Sequence, residues 1–203
     1  MKIHFFKARK AELPTIKFTT KNRVGIAGSV QYEKLIESTY KQLKQQGVKA
    51  YYIGTTLGCN TDKVKPLLDK LDEFLYIADG DFHPTAFLKY DKKITVINFQ
   101  TGKKRVFGKE DLDQFKKQKK GKLLKFLHAN KIGIIVSTKH GQYNLQDALR
   151  IKDAFPSKQS YLFFSDTLNT QGLEDFTGLD IFVNTACPRI QDKKIINHAD
   201  IPK

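Results

Sequence analysis

The chain contains two cysteines, Cys59 and Cys187, and thiolates are soft ligands that suit iron–sulfur clusters, zinc or copper(I). Cys187 follows a short apolar run, residues 181–183, which predicts a buried strand, and Pro188 fixes the turn behind it. Cys59 lies in a similar loop. Because open α/β sheets bind ligands at the carboxyl ends of their strands, two such loops predict one shared site. The spacing has no metal-binding signature, so two structural thiols are the alternative.

Polar side chains occupy two further loops that could contact a ligand. His83 lies with Asp79 and Asp81 after a predicted strand, and this set of donors could hold a metal ion. A histidine at a strand end that is satisfied by its neighbours is the simpler alternative. Gln142 lies just ahead of a helix start that Asn144 can cap, so its amide could bind a ligand carboxylate or amide.

Short apolar runs alternate with amphipathic stretches along the chain. The amphipathic stretches repeat apolar residues at helical spacing, which predicts helices between the strands. Strands that alternate with helices form parallel sheets with crossover connections, so the predicted fold class is α/β. The predicted strands cover residues 23–27, 49–53, 74–78, 94–98, 131–137, 160–164 and 181–183, and the predicted helices lie around residues 32–46, 62–71, 110–129 and 144–155.

A short internal repeat divides these elements into two groups. Residues 23–26 (Arg-Val-Gly-Ile) and 131–134 (Lys-Ile-Gly-Ile) each open a unit that later carries a cysteine loop. Chance similarity between two buried strands is the alternative. The basic, glycine-bounded stretch 100–108 is the best candidate for a domain boundary. We therefore predict two similar parallel-sheet α/β domains with flanking helices: a basic N-terminal arm over residues 1–22, a first domain over 23–108 carrying Cys59, and a second over 109–203 carrying Cys187.

The chain carries a formal net charge of +15, from 36 basic and 21 acidic residues. This charge fits a nucleic acid or an acidic partner. Only five of the basic residues are arginines, however, and lysine is a solvated point charge that discriminates base edges poorly. A solvated lysine-rich surface is therefore the simpler explanation, and nucleic acid is not expected as the main partner.

The length of 203 residues predicts one or two domains. The amino terminus lacks an apolar stretch long enough for a signal peptide, and no segment approaches the ~20 apolar residues of a membrane span. We therefore expect a cytoplasmic protein with no membrane association. Cysteines of cytosolic proteins are more often free, metal-bound or catalytic than disulfide-bonded.

Taken together, the loops resemble those of the archaeal diphthamide synthase family. The resemblance extends from about residue 23 to residue 190 and rests on four motifs in matching order and spacing. They are residues 57–60 (Leu-Gly-Cys-Asn), 79–84 (Asp-Gly-Asp-Phe-His-Pro), 137–142 (Ser-Thr-Lys-His-Gly-Gln) and 186–189 (Ala-Cys-Pro-Arg).

The resemblance implies an enzyme, a 3-amino-3-carboxypropyl transferase. Members of this family have three similar α/β domains, each giving one cysteine to a 4Fe–4S cluster whose free iron binds S-adenosylmethionine. Electron transfer then yields a 3-amino-3-carboxypropyl radical that attacks a histidine of translation elongation factor 2, the first step of diphthamide biosynthesis. The family works as a homodimer in archaea and as a heterodimer in eukaryotes.

Carried over to this chain, the resemblance implies that Cys59 and Cys187 ligate iron. They match the ligands of the second and third domains, and the first domain with its cysteine is missing here. A cubane held by two thiolates has two open irons and is labile, so a third ligand must come from elsewhere. A second copy, a partner chain with the missing domain, or His4 or His198 could supply it. The residues implied to bind S-adenosylmethionine or the cluster are Gly80, His83, Gln142 and Arg189.

Three classes of function follow. The first is a diphthamide synthase or its cluster-binding fragment. The second is a non-catalytic subunit or docking module of a synthase complex that binds elongation factor 2. The third is a nucleic-acid-binding module built on the lysine charge, which leaves the loop motifs unexplained and ranks last.

Overall fold

A computed structural model of the chain describes residues 16–56 and 61–202. The chain divides into two compact units, Met1–Asp113 and Gln114–Lys203. Each unit is built on a sheet of mainly parallel strands, which confirms the predicted α/β class. No helix in the described ranges is both long and apolar enough to cross a membrane.

The first unit contains five strands and one α-helix. They are β1 (Val24–Ser29), β2 (Ala50–Thr56), β3 (Glu73–Ala78), β4 (Lys93–Asn98), β5 (Lys104–Phe107) and α1 (Glu33–Gln45). The sheet order is β2-β1-β3-β4-β5, with β1 to β4 parallel and β5 antiparallel to β4. β5 was not predicted, because residues 100–108 were interpreted as a connector.

Apolar side chains of α1 bury against the centre of this sheet. Leu35 and Ile36 are completely buried, as are Ile26 on β1 and Leu75 on β3, and the four belong to one core cluster. Burial of this kind stabilises by roughly 1.5–3 kcal/mol for each large aliphatic side chain. The described part of the predicted arm, residues 16–22, joins the same core, because Ile16 and Phe18 are both buried in it.

Two connections of the first unit are 3-10 helices rather than α-helices. Residues Asp62–Lys70, predicted as an amphipathic helix, form a 3-10 run that contains Pro66. In an α-helix the Pro66 ring would clash with the backbone carbonyl of residue 62, four positions earlier, which disfavours an α-helix through this segment. A second run, Pro84–Tyr90, follows the polar loop after β3 and was not predicted.

The second unit contains a four-stranded sheet that is parallel throughout. Its strands are β6 (Lys131–Ser137), β7 (Gln159–Ser165), β8 (Ile181–Asn184) and β9 (Ile195–Asn197), in the order β7-β6-β8-β9. The helices are α2 (Lys109–His128), which spans the division between the units, and α3 (Leu145–Ala154). The short β9 was not predicted.

The internal repeat corresponds to equivalent positions in the two sheets. β1 and β6 each lie between the next two strands of their unit. Gly25 of β1 pairs with Phe74, and Gly133 of β6 pairs with Phe182. A methyl group added to Gly133 would lie 2.5 Å from the Phe182 ring. A methyl group added to Gly25 would lie 2.6 Å from Ile53 and 2.8 Å from Leu71. In both sheets the central strand thus has a glycine where neighbouring side chains leave no room for a Cβ atom, which supports repetition of one α/β module.

Candidate functional site

The loop that carries Cys187 is held by the side chain of Asn184, the last residue of β8. Asn184 is completely buried, and its Nδ2 donates to the carbonyl oxygen of Cys187 at 2.8 Å. Its Oδ1 accepts from the backbone N–H of Ala186 at 2.9 Å. The backbone N–H of Ile190 donates to the Cys187 carbonyl at 3.0 Å and closes the turn. The half-buried thiol of Cys187 is free and stands on a fixed backbone.

A second asparagine completes this support. Asn197 ends β9, and its Oδ1 accepts from Asn184 Nδ2 at 2.8 Å. Its own Nδ2 donates to the carbonyl oxygen of Pro188 at 3.1 Å. Side-chain amides from two neighbouring strands therefore hold the backbone on both sides of the thiol. Ligands positioned in this way by surrounding hydrogen bonds are typical of metal sites.

The loop that carries Gln142 leaves the same edge of the sheet, after β6. The N–H of Thr138 donates to the carbonyl of Ser165 at 3.0 Å, and Gly141 adopts a positive φ of 77° that favours glycine. The backbone N–H of Gln142 donates to the carbonyl of Lys139 at 3.0 Å. The Gln142 side chain is half-buried. The turn therefore fixes the backbone from which this side chain projects.

Thr185 joins the two loops. Its hydroxyl donates to the carbonyl oxygen of Ile135 at 2.8 Å and lies 3.3 Å from that of Asn144. Asn144 follows the Gln142 turn and caps α3 by accepting from the backbone N–H of Asp147 at 3.3 Å. The structure thus brings the Gln142 loop and the Cys187 loop together at the carboxyl edge of the second sheet. Arg189, half-buried, belongs to the Cys187 turn.

Asp147 fixes the start of α3 beside this edge. The side chain of Asn144 donates to Asp147 Oδ2 at 2.6 Å, and Arg150 donates to Oδ1 at 2.8 Å. These donors, the Asn144 amide first, hold the pKa of Asp147 below its usual value despite partial desolvation. His198 Nδ1 lies 3.6 Å from Asp147 Oδ2. His198 is one of the residues that could supply the third ligand of the cluster, and its Nδ1 atom therefore points at α3.

In the first unit, the acidic residues predicted near His83 have other partners. Asp79 accepts from Gln31 Nε2 at 3.0 Å, and Asp81 forms an ion pair with Arg105 at 2.5 Å. These contacts occupy the two carboxylates, and within the described ranges no group of three or more His, Cys, Asp or Glu side chains could hold a metal ion. The structure therefore does not favour a metal site at this loop.

His83 itself has an incomplete set of contacts. Its Nδ1 atom is buried and makes no hydrogen bond within the part of the chain that the structure describes. The ring lies edge-on to Phe82, with 5.2 Å between the centroids, and Phe82 is 59% exposed. A buried ring nitrogen without a partner indicates a hydrogen bond that a ligand or water completes. Gly80 is exposed and meets nothing within 4 Å of an added methyl group, so no steric contact requires glycine there.

Cys59 lies outside the described residues, but both flanks of its loop are fixed. Thr56 ends β2, and its hydroxyl lies 2.6 Å from the hydroxyl of Tyr76. The Thr61 hydroxyl lies 2.6 Å from that of Tyr90. The loop therefore starts at the carboxyl edge of the first sheet, the edge from which the 79–83 loop also leaves.

The donor set fits an iron–sulfur cluster only in part. Cys187 offers one thiol on a rigid loop, and Cys59 is the second thiol of the sequence. Two thiolates leave half of the irons of a cubane without a protein ligand. The described residues therefore fit one corner of a cluster site rather than a complete one. His4, like Cys59, lies outside the described ranges.

Sequence reasoning missed the supporting residues of the Cys187 loop. The sequence did contain a signal for Asn184. Its polar amide directly follows the apolar run 181–183, at the end of a strand predicted to be buried. Buried amides in such positions are paired, and the partner is most often backbone. Asn197 gave no signal, because the three-residue strand that carries it was not predicted.

Comparison with known proteins links the chain to diphthamide synthesis. The profile of a family described as "Putative diphthamide synthesis protein" matches residues 3–194. The chain is 31% identical over 140 residues to a 2-(3-amino-3-carboxypropyl)histidine synthase of Pyrococcus horikoshii, covering 68% of this chain and 39% of that protein. It is 24% identical over 187 residues to subunit 1 of the Kluyveromyces lactis synthase, covering 85% of this chain and 44% of that protein.

A solved structure has a similar fold. The crystal structure of Dph2 from Pyrococcus horikoshii with a 4Fe–4S cluster superposes with a TM-score of 0.74, at 24% identity, over 89% of this chain and 56% of that one. This similarity confirms the two-sheet α/β architecture. The chain spans about half of the length of the relatives it matches, or less.

Proposed function

Because the chain belongs to the family of diphthamide synthesis proteins, we propose that it acts in the first step of diphthamide biosynthesis. It transfers the 3-amino-3-carboxypropyl group of S-adenosylmethionine to a histidine of translation elongation factor 2. The observation that carries this proposal is the family match over residues 3–194 together with Cys187 and Gln142 on joined loops at one sheet edge. That edge is where α/β proteins bind their ligands.

We assign Cys59 and Cys187 as two thiolate ligands of a 4Fe–4S cluster. When bound, the cluster supplies the electron that breaks the bond between sulfur and the aminocarboxypropyl carbon of S-adenosylmethionine. The amide support of the Cys187 loop serves this role, because a ligand held in place loses little conformational entropy on binding. The third protein ligand comes from a second copy of this chain or from a partner chain.

The remaining residues bind S-adenosylmethionine. The amide of Gln142 and the guanidinium of Arg189 lie on the two loops joined by Thr185 and have the chemistry to bind the methionine carboxylate. His83, whose buried Nδ1 makes no described hydrogen bond, forms one to the cofactor. Gly80, exposed beside it, lets the cofactor approach the backbone.

A second candidate function is supported by one specific observation. The 203 residues contain two cysteines, fewer than the three thiolates that the resemblance implies for a cluster. A non-catalytic subunit that docks elongation factor 2, or that completes a catalytic chain, fits the same fold without requiring a full set of cluster ligands.

A transfer assay distinguishes the two candidates. The chain, reconstituted anaerobically with iron and sulfide, is incubated with S-adenosylmethionine, dithionite and elongation factor 2, and mass spectrometry detects the modified histidine and the co-product 5′-methylthioadenosine. We expect modification that Cys187→Ala abolishes. Gln142→Ala should raise the KM for S-adenosylmethionine about tenfold, a loss of about 1.4 kcal/mol. The exposed Gln146→Ala should leave it unchanged. An unmodified factor that still binds the chain would favour the docking module.

A further inference from the structure

The long helix α2 exposes an unusual combination of side chains on the side opposite its core contacts. Leu112 and Phe126 bury the inner side of α2. Positions 117, 120, 124 and 127 recur at intervals of three and four residues and therefore share the outer side. They are Lys117, Lys120, Leu124 and Leu127, which we call the outer face of α2.

The two leucines of the outer face are largely in solvent. Leu124 is 47% exposed and Leu127 is 49% exposed. A surface helix normally places its apolar residues toward the core and polar residues outside. Single exposed leucines are common. Here two of them lie one turn apart, on the same side of the helix as Lys117 and Lys120.

The lysines of the outer face are not neutralised within the described structure. Between positions 114 and 128 the sequence has six lysines and no acidic residue. Lys119 forms an ion pair with Asp200 at 2.6 Å. Lys122 is half-buried on the inner side, where desolvation lowers its pKa. Lys117 and Lys120 are exposed and make no described ion pair or hydrogen bond, so their charge is available to a partner.

These features select one kind of occupant. A second copy would bring lysine-rich faces against each other, and that contact is repulsive. Nucleic acid would use the lysines but not the leucines. Permanent subunit interfaces are more apolar than this face, in which two of the four side chains are charged. Interfaces with transient protein partners combine a small apolar centre with charges that accelerate association.

We propose that the outer face of α2 docks an acidic, partly aliphatic surface of a protein partner that binds transiently. Resting on the proposed function, this partner is the protein substrate, elongation factor 2. The lysines accelerate the encounter, and the leucines slow dissociation by burying apolar surface. The protein would then contact its substrate through the outer face of α2 in addition to the loops at the carboxyl edges of the sheets.

Binding kinetics of the purified chain with elongation factor 2, measured by biolayer interferometry, test this proposal. Lys117→Glu/Lys120→Glu should slow association about tenfold, and the wild-type rate should fall as salt rises. Leu124→Gln/Leu127→Gln keeps helix propensity and should speed dissociation about fivefold. The matched control Lys41→Glu/Lys44→Glu makes the same charge change on exposed positions of α1 and should bind within about twofold of wild type.

Three results would overturn the proposal. The first is equal binding by all variants, which leaves the proposed function intact. The second is loss of structured-RNA binding in the lysine variant with unchanged elongation-factor binding, which would assign the face to nucleic acid. The third is absence of binding by the wild type. Cluster formation, measured separately, then decides whether the proposed function fails as well. Circular dichroism confirms that each variant is folded.

Discussion

At the scale of single residues, the Cys187 loop depends on a hydrogen-bonded amide at the end of β8. Asn184 is buried, and its side chain contacts three backbone or side-chain groups, of Cys187, Ala186 and Asn197. Removing one partner of a buried hydrogen bond costs the desolvation of the group that remains, about 1–3 kcal/mol. The position of the thiol is therefore coupled to the stability of the second unit.

Asn184→Ala should lower the free energy of unfolding by about 1–3 kcal/mol, because Asn197 and the Ala186 N–H lose their partner. The alkylation rate of Cys187 should rise as its loop loosens. Urea denaturation and a maleimide assay measure the two effects. Asn169→Ala, at an exposed site where the side chain accepts one backbone N–H, serves as the control and should change stability by less than about 0.5 kcal/mol. Unchanged stability and alkylation in Asn184→Ala would contradict the assigned role.

An ion pair near the start of β1 makes a contribution to the stability of the fold that depends on pH. The Arg23 side chain donates to both carboxylate oxygens of Asp72, at 2.7 and 3.0 Å, and lowers the pKa of Asp72 from 3.8 to about 2. A carboxylate whose folded pKa is depressed stabilises the fold above its unfolded pKa and loses that effect as pH falls through the folded value. The contribution is therefore full above about pH 4 and absent below about pH 2.

Asp72→Asn should therefore be less stable than wild type at pH 7, and the difference should shrink between about pH 4 and pH 2. Thermal unfolding across this range measures it. Asp69→Asn, at a neighbouring exposed carboxylate that makes no described ion pair, is the control and should show no such pH-dependent difference. A difference that persists unchanged at pH 2 would exclude the ion pair as its source.

At the scale of elements, the alternation of apolar runs and amphipathic stretches was enough to predict seven of the nine described strands and the three α-helices. The repeat of residues 23–26 in residues 131–134 also indicated equivalent strands, β1 and β6. The pattern works for the helices because each buries one side against a sheet, which leaves a helical period in the sequence. It works for strands such as β1, β3, β6 and β8 because they are buried almost throughout, which leaves a short continuous apolar run.

The elements that were missed have neither a helical period nor a continuous apolar run of sufficient length. β5 is a mostly exposed edge strand, so Lys104 and Arg105 resemble a polar connector. β9 has three residues, too few for any periodicity. The sequence likewise identified the loops that carry Cys187 and Gln142, but not Asn197, because side-chain hydrogen bonds between strands depend on sheet order, which no local pattern encodes.

Two glycine substitutions should have opposite effects on stability. In Gly133→Ala the new methyl group would meet the Phe182 ring at 2.5 Å and Phe163 at 3.0 Å, so we expect a loss of about 1–3 kcal/mol. Gly121→Ala on α2 meets nothing within 4 Å and should stabilise by about 0.5–1 kcal/mol, because alanine favours helix over glycine. Chemical denaturation of both variants measures the effects. A stable Gly133→Ala would contradict the tight packing of β6 against β8.

At the scale of the whole molecule, the chain combines two sheets of one design with an uneven charge distribution. The net charge is +15, and six of the lysines lie between positions 114 and 128 without an acidic neighbour in that stretch. The lysine-rich stretch lies on α2, the helix whose outer face we propose as the docking surface for elongation factor 2.

Iron analysis after anaerobic reconstitution tests the central proposal most directly, namely that Cys59 and Cys187 ligate the same cluster. Wild type, Cys59→Ala, Cys187→Ala and the exposed control Thr167→Ala are compared by iron per chain and by visible absorption. We predict that wild type and Thr167→Ala bind iron and sulfide with the broad absorption of a 4Fe–4S cluster, and that each cysteine variant loses nearly all of it. A cluster that persists at the wild-type level in either cysteine variant would contradict the account.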